Sequence, residues 1–70
     1  MPLILAQVGA VVTVLKVGGK PEIKKHLENM GFITGEKVRV VSVNQGNLIV
    51  IVKETRVALS RELAQKIQVA

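Results

Sequence analysis

The sequence contains no cysteine, no tryptophan and no tyrosine, and its five acidic residues are all glutamates, so aspartate is missing as well. It has one phenylalanine and one histidine. Without cysteine the chain has no disulfide framework, no thiolate nucleophile and no cysteine-based zinc or iron–sulfur site. Paired-carboxylate hydrolysis, a Ser-His-Asp triad and a histidine-rich metal cage also need residues that the chain mostly lacks. We therefore expect no enzyme, no catalytic residue, no cofactor and no metal site, which leaves binding, regulatory and structural roles.

Acidic residues are few relative to basic ones. The 70 residues carry ten lysines and arginines against five glutamates, with a net charge of +5 and a pI near 10.1. This balance favours acidic partners, namely nucleic acid, an anionic membrane surface or an acidic protein. A chain of this length predicts one small domain over residues 1–70. Aliphatic side chains must build its core, because aromatic residues make up 1% of the sequence.

No stretch has the pattern of a secretory signal or a membrane span. Residues 2–15 carry no charge and Lys16 is the first basic residue, whereas a secretory signal places basic residues before its apolar stretch. Gln7, Gly9 and Thr13 interrupt a run that is already shorter than the roughly 20 apolar residues a span needs. We therefore predict a cytoplasmic protein with no membrane span of its own.

Segments rich in β-branched residues, separated by glycine and polar turns, predict strands. The predicted strands are residues 10–17, 36–43, 48–52, 56–59 and 67–69. In the first strand, strict alternation places Val17 on the same face as Val11 and Leu15. The unbroken aliphatic run at 48–52 predicts a strand that is buried on both faces.

Two segments predict helix. Pro21 suits a first helical position, and Ile23, Leu27 and Met30 recur at the spacing of one apolar stripe. Gly31 is placed to close that helix. Ser60 predicts an N-cap for a short helical turn. The expected fold is therefore mainly β, a small barrel of about five short strands with an amphipathic helix at about 21–30 and a helical turn at about 60–65.

The basic residues suggest an interaction surface. Lys20, Lys24 and Lys25 cluster at the start of the helix, and further basic residues are spread over strands and turns, namely Lys37, Arg39, Lys53 and Arg56. Small barrels that bind nucleic acid usually combine such a groove with aromatic side chains that stack on bases, and only Phe32 is available. An ordinary solvated face and a non-specific, salt-dependent nucleic-acid surface both stay open, whereas sequence-specific nucleic-acid recognition is not expected.

The segment 31–35 connects the helix to the next strand. Its two glycines bracket Phe32 and Ile33, which indicates a tight return of the chain. The two apolar side chains either fill the core or form an exposed contact for a partner, and spacing alone does not decide between these interpretations.

Many of these pieces match one protein family in their order and spacing. Along the chain from Leu3 to Val69 they are Leu5-Ala6, Gly9, Val14, Gly18-Gly19, the helix end 27–31, Phe32-Ile33, Gly35, the strand 38–43, Ala58-Leu59 and the closing residues 64–69. With them the sequence resembles the ferrous iron transport protein A family, FeoA.

This resemblance implies an SH3-like β-barrel with its helix packed across one end. It also implies a small cytoplasmic accessory or regulatory protein of ferrous iron uptake that binds FeoB, the membrane iron transporter with a cytoplasmic GTPase module. Family members are not established enzymes. The same fold closes some metal-responsive repressors, so a free-standing relative of such a C-terminal domain is an alternative.

The resemblance also suggests roles for particular residues. The glycines are expected at structural turns, namely Gly9, Gly18, Gly19, Gly31 and Gly35. For partner contact we predict the exposed side of the helix and its exit, namely Lys24, Lys25, Glu28, Phe32 and Ile33. A homo-oligomer is a further alternative, because the apolar segments 3–6 and 48–52 could pair across subunits.

Overall fold

The computed structural model describes all 70 residues and shows a mainly-β protein. Its elements in chain order are a 3₁₀ turn (Leu3–Leu5), β1 (Val11–Val17), α1 (Pro21–Asn29), β2 (Lys37–Asn44), β3 (Asn47–Val52), β4 (Thr55–Leu59), α2 (Arg61–Gln65) and β5 (Ile67–Val69). The five strands form one antiparallel sheet in the order β4-β3-β2-β1-β5. The predicted strands and helices are confirmed, with boundaries that differ by about one residue. The 3₁₀ turn was not predicted.

One hydrophobic core lies on the inner face of the sheet. It contains sixteen buried residues, of which Phe32, Leu3, Leu27, Leu59 and Ile67 are the largest that are fully buried. The two outer strands, β4 and β5, do not pair with each other, but α2 contacts both of them and also the 3₁₀ turn. The short helix therefore covers the gap in the barrel. No helix combines the length and the apolar character that crossing a bilayer requires.

The start of α2 follows from its cap. Ser60 stands in an extended conformation before the helix, and its side-chain oxygen accepts a hydrogen bond from the backbone N–H of Leu63 at 3.3 Å. This bond satisfies one of the N–H groups that a helix leaves free at its first turn. The predicted N-cap is confirmed.

Strict alternation fails in β1, and the expected position of Val17 is wrong. The pairing of β1 with β5 shifts register between Val14 and Lys16, so Leu15 is an extra residue on the β1 side. After such an extra residue, the side chains that would have pointed outward point inward, and the reverse. Val17 therefore joins Val14 in the core, while Leu15 is 49% exposed.

The expectation that β3 is buried on both faces is also wrong. Leu48, Val50 and Val52 are buried, whereas Ile49 and Ile51 on the outer face are only half-buried. β3 lies between β2 and β4, so its backbone is fully paired although one of its faces reaches solvent. An inner strand of an antiparallel sheet therefore needs only one covered face.

Two tight turns join β2 to β3 and β3 to β4. The first has Gln45 and Gly46 at positive φ (51° and 83°), and the second has Lys53 and Glu54 at positive φ (51° and 64°). Positive φ at both central residues is the pattern of type I′ hairpin turns, whose twist matches that of the flanking strands. The predicted turns are confirmed, and the strands extend further into them than expected.

The end of α1 is a Schellman motif centred on Gly31. The Gly31 N–H donates to the Glu28 carbonyl at 3.0 Å, and the Phe32 N–H donates to the Leu27 carbonyl at 3.1 Å. Gly31 has a φ of +110°, and a Cβ built on it would lie 3.3 Å from Cγ2 of Val52. The position therefore needs glycine both for its backbone angle and for its close approach to β3.

The remaining turn glycines behave differently from one another. Positive φ angles occur at Gly9, Gly19 and Gly35. In the Gly18-Gly19 pair only Gly19 needs this conformation, because Gly18 has no positive φ and instead donates its N–H to the Lys66 carbonyl at 2.7 Å.

We expect Gly31→Ala to lower the free energy of unfolding by about 1–3 kcal/mol, because it combines backbone strain with a tight contact. Gly18→Ala is the control, since a Cβ there would meet its nearest neighbour, the Lys66 carbonyl, at an ordinary 3.6 Å. We expect that change to stay within about 0.5 kcal/mol. Urea unfolding of both variants measures the difference, and equal losses would contradict the role given to Gly31.

A candidate partner-binding surface at the helix and its exit

The solvent side of α1 carries the charged residues that the sequence predicts for partner contact. Lys24, Lys25 and Glu28 are all exposed, whereas Leu27 is fully buried and Ile23 is partly buried. At 100° per residue the three charged side chains fall within about 100° of arc on the side away from the core. The structure therefore brings them together on one face, as the sequence predicts.

These charges have no partners within the molecule. Lys24 and Glu28 have the i, i+4 spacing that favours an ion pair, but the structure contains a single salt bridge, between Lys53 and Glu36 at 3.7 Å. None of the lysines of α1 donates a side-chain hydrogen bond. The face thus presents solvated charges to any partner that approaches it.

Phe32 does not belong to this surface, and its inclusion in the predicted contact set is wrong. The side chain is fully buried, as is that of Leu27, the residue whose carbonyl accepts the Phe32 N–H. In a Schellman motif these two positions normally make an apolar contact across the helix end. The sequence contains this signal, because a phenylalanine directly after the closing glycine has a leucine at the matching helical position.

Ile33, in contrast, is 43% exposed and stands on a firmly bonded segment. The Gly35 N–H donates to the Val14 carbonyl at 2.8 Å, and the Thr34 hydroxyl donates to the Leu15 carbonyl at 3.1 Å. The helix exit is therefore fixed to β1 at Thr34 and Gly35. An apolar side chain held in this way loses little conformational freedom when a partner covers it.

Leu15 is an exposed aliphatic residue, bonded through its backbone to the helix exit, that sequence reasoning missed. Strict alternation gives no sign of the bulge that turns Leu15 outward, so its exposure follows only from the register of β1 with β5. The hydrogen bond from Thr34 connects it to the segment that carries Ile33. Two exposed aliphatic residues thus lie on adjacent, bonded segments. We refer to Lys24, Lys25, Glu28, Ile33 and Leu15 as the helix-exit surface.

Two other surface features are not part of this candidate surface, namely the single histidine and an open cleft. His26 is exposed on α1, and no three His, Cys, Asp or Glu side chains come together in a group that could hold a metal ion. An open cleft of about 320 Å³ lies between the 3₁₀ turn and α2, where Ile4, Leu5, Arg61 and Gln65 line it.

The whole chain matches a known family. The family model of the FeoA domain covers residues 1–70. A Fe(2+) transport protein A of Methanocaldococcus jannaschii is 34% identical over 68 residues, which are 97% of this chain and 83% of that protein.

Solved structures agree with this match in fold. An iron uptake regulatory protein (FeoA) has a TM-score of 0.90 and 26% identity, with 99% of this chain and 92% of that chain covered. FeoA of Stenotrophomonas maltophilia complexed with zinc has a TM-score of 0.88 and 29% identity, with 100% and 89% covered. It is described as a procaryotic SH3 domain protein and is proposed to act as a ferrous iron transport activating factor. The expected SH3-like fold is thus confirmed, and the chain belongs to the FeoA domain family.

Proposed function

We propose that this protein is a non-enzymatic accessory of ferrous iron uptake, which acts in the cytoplasm by binding the cytoplasmic part of an FeoB-type transporter through the helix-exit surface. Membership of the FeoA family supports the link to iron transport. The observation that carries the choice of surface is an exposed Ile33 on a segment bonded to β1, which directly follows the helix with the unpaired charges.

The helix-exit surface has the two parts that a protein contact needs. Its aliphatic residues, Ile33 and Leu15, offer apolar area that a partner can bury, at about 25 cal/mol per Å². Its lysines belong to a chain with a net charge of +5, which accelerates the approach to an acidic surface. Because the segment around Thr34 is hydrogen-bonded to β1, little ordering is required on binding.

A two-dimensional NMR titration of the labelled protein with the GTPase module of the transporter tests this proposal directly. We expect shift changes confined to the backbone amides of residues 24–33 and of Leu15. Changes centred on the cleft that Leu5 and Arg61 line would move the contact to another surface. A titration without any change would contradict binding to this module.

The non-specific nucleic-acid alternative has less support. Phe32 is the only Phe, Tyr or Trp residue, and its side chain is fully buried, so none of these rings is available for a base to stack on. Retention on a heparin column measures how strongly the basic residues alone bind a polyanion. We expect elution at low salt, because a surface that makes few phosphate contacts loses its affinity early in the gradient.

The double variant Lys24→Glu/Lys25→Glu should weaken binding to the GTPase module by about tenfold, since each reversed charge at the edge of an interface removes a modest attraction. The fold should persist, because both side chains are exposed and unpaired. Arg39→Glu/Arg56→Glu makes the same change in net charge on β2 and β4 and serves as the control. Titration calorimetry measures both, and equal weakening would mean that only net charge matters.

Ile33→Ser and Phe32→Leu should separate binding from stability. Ile33→Ser should lower affinity by about tenfold, because a serine offers little apolar area to a partner. Phe32→Leu should lower the free energy of unfolding by about 1–3 kcal/mol while affinity stays unchanged, because Phe32 is enclosed in the core. Urea unfolding and calorimetry give the two quantities. Unchanged affinity in Ile33→Ser would remove Ile33 from the contact.

A further inference from the structure

The outer face of the sheet has a row of side chains that the sequence does not reveal. Backbone pairing places Val11 of β1 opposite Arg39 of β2, Arg39 opposite Ile51 of β3, and Ile51 opposite Arg56 of β4. Residues that pair directly point to the same side of a sheet. Since Val12, Val38, Val50 and Val52 point into the core, this row points to solvent.

The row is cationic, and its arginines have no ion-pair partner. Arg39 and Arg56 are exposed, flank the half-buried Ile51 and form no salt bridge. Neighbouring strands are about 4.8 Å apart, so the Cα atoms of the two arginines are about 10 Å apart. Lys37, exposed and two residues before Arg39, adds a third positive charge to this face. The outward positions of β2, β3 and β4 hold no glutamate.

Aliphatic groups lie between the charges. Val11, which stands beside Arg39 in the row, is 52% exposed, and Ile51 separates the two arginines. The 320 Å³ cleft opens elsewhere, between the 3₁₀ turn and α2, and it is the structure's only one. The row therefore combines positive charge and apolar groups on a face without a pocket.

From this arrangement we propose that the outer face of β1–β4 binds the headgroup layer of an anionic membrane, with Arg39, Arg56 and Lys37 on lipid phosphates and Val11 and Ile51 against the apolar part of the interface. Guanidinium groups match phosphate geometry and donate two parallel hydrogen bonds to it. Basic residues near an anionic leaflet each contribute a modest attraction, and exposed aliphatic groups add to it.

An anionic membrane accounts for this face better than nucleic acid or an acidic protein does. Proteins that bind single-stranded nucleic acid combine basic residues with aromatic side chains, and this face has no aromatic side chain, while its exposed valine has no counterpart on a phosphate backbone. A protein that binds through anchor residues inserts them into pockets, and no pocket opens here. The proposal uses none of the residues of the helix-exit surface and does not depend on binding to a transporter.

Vesicle co-sedimentation of the full chain at low ionic strength tests the proposal. The vesicles contain phosphatidylcholine alone or with about 30% phosphatidylglycerol, an anionic lipid. We expect binding to the anionic vesicles only, and a decrease of that binding as salt is added. At about fivefold for each basic residue, Arg39→Gln/Arg56→Gln should lower the partition coefficient by about 30-fold.

Matched variants distinguish a loss of membrane binding at this face from a loss caused by lower net charge or by misfolding. Lys24→Gln/Lys25→Gln removes the same charge from α1 and should change the partition coefficient by less than about fivefold. Arg39→Lys/Arg56→Lys keeps the charge but loses the paired hydrogen bonds, so it should bind more strongly than the glutamine variant and less strongly than the unchanged protein. The NMR spectrum of Arg39→Gln/Arg56→Gln verifies that its sheet is intact. Absence of binding to anionic vesicles, or equal loss in both glutamine variants, would overturn the proposal. So would tighter, arginine-dependent binding to duplex DNA or to polyglutamate than to the vesicles.

Discussion

The geometry of this small protein depends on how α1 ends. Gly31 takes a backbone angle that other residues avoid, and this lets Phe32 turn back onto Leu27 and fill the core. Phe32 is fully buried and the next residue, Ile33, is 43% exposed, so the connection that completes the core also carries an exposed apolar residue. The bonds of Thr34 and Gly35 to β1 then fix the chain before β2 begins. The end of α1 therefore both contributes to the packing of the core and leads into the candidate contact surface.

The helix-exit surface and the outer face of the sheet differ in their basic residues. The former has lysines only, whereas the latter has Arg39 and Arg56 besides Lys37, at positions set by strand pairing. Lysine acts as a mobile point charge and suits steering, whereas the planar guanidinium group suits direct contact with phosphate or carboxylate. A protein of the FeoA family that contacts both a transporter and its membrane would need both kinds of charge.

Local patterns predicted most of the fold, and non-local pairing decided what they missed. Pro21, Gly31 and Ser60 mark helix ends through chemistry that acts over a few residues, so these boundaries could be read from the sequence. The bulge at Leu15 arises from pairing with β5, near the other end of the chain, and no local signal announces it. For the same reason the sequence shows Arg39 and Arg56 as scattered residues, and only strand register places them in one row.

The position of β5 beside β1 has a consequence for how the protein folds. β2, β3 and β4 follow one another through two-residue turns, so their pairing closes only short loops of chain. Val14 pairs with Val69, and this contact must bring together residues from nearly opposite ends of the sequence. Loop-closure entropy opposes such a contact until the intervening chain is ordered. We therefore expect β2, β3 and β4 to pair first, and β1 and β5 to join them in the step that completes the barrel.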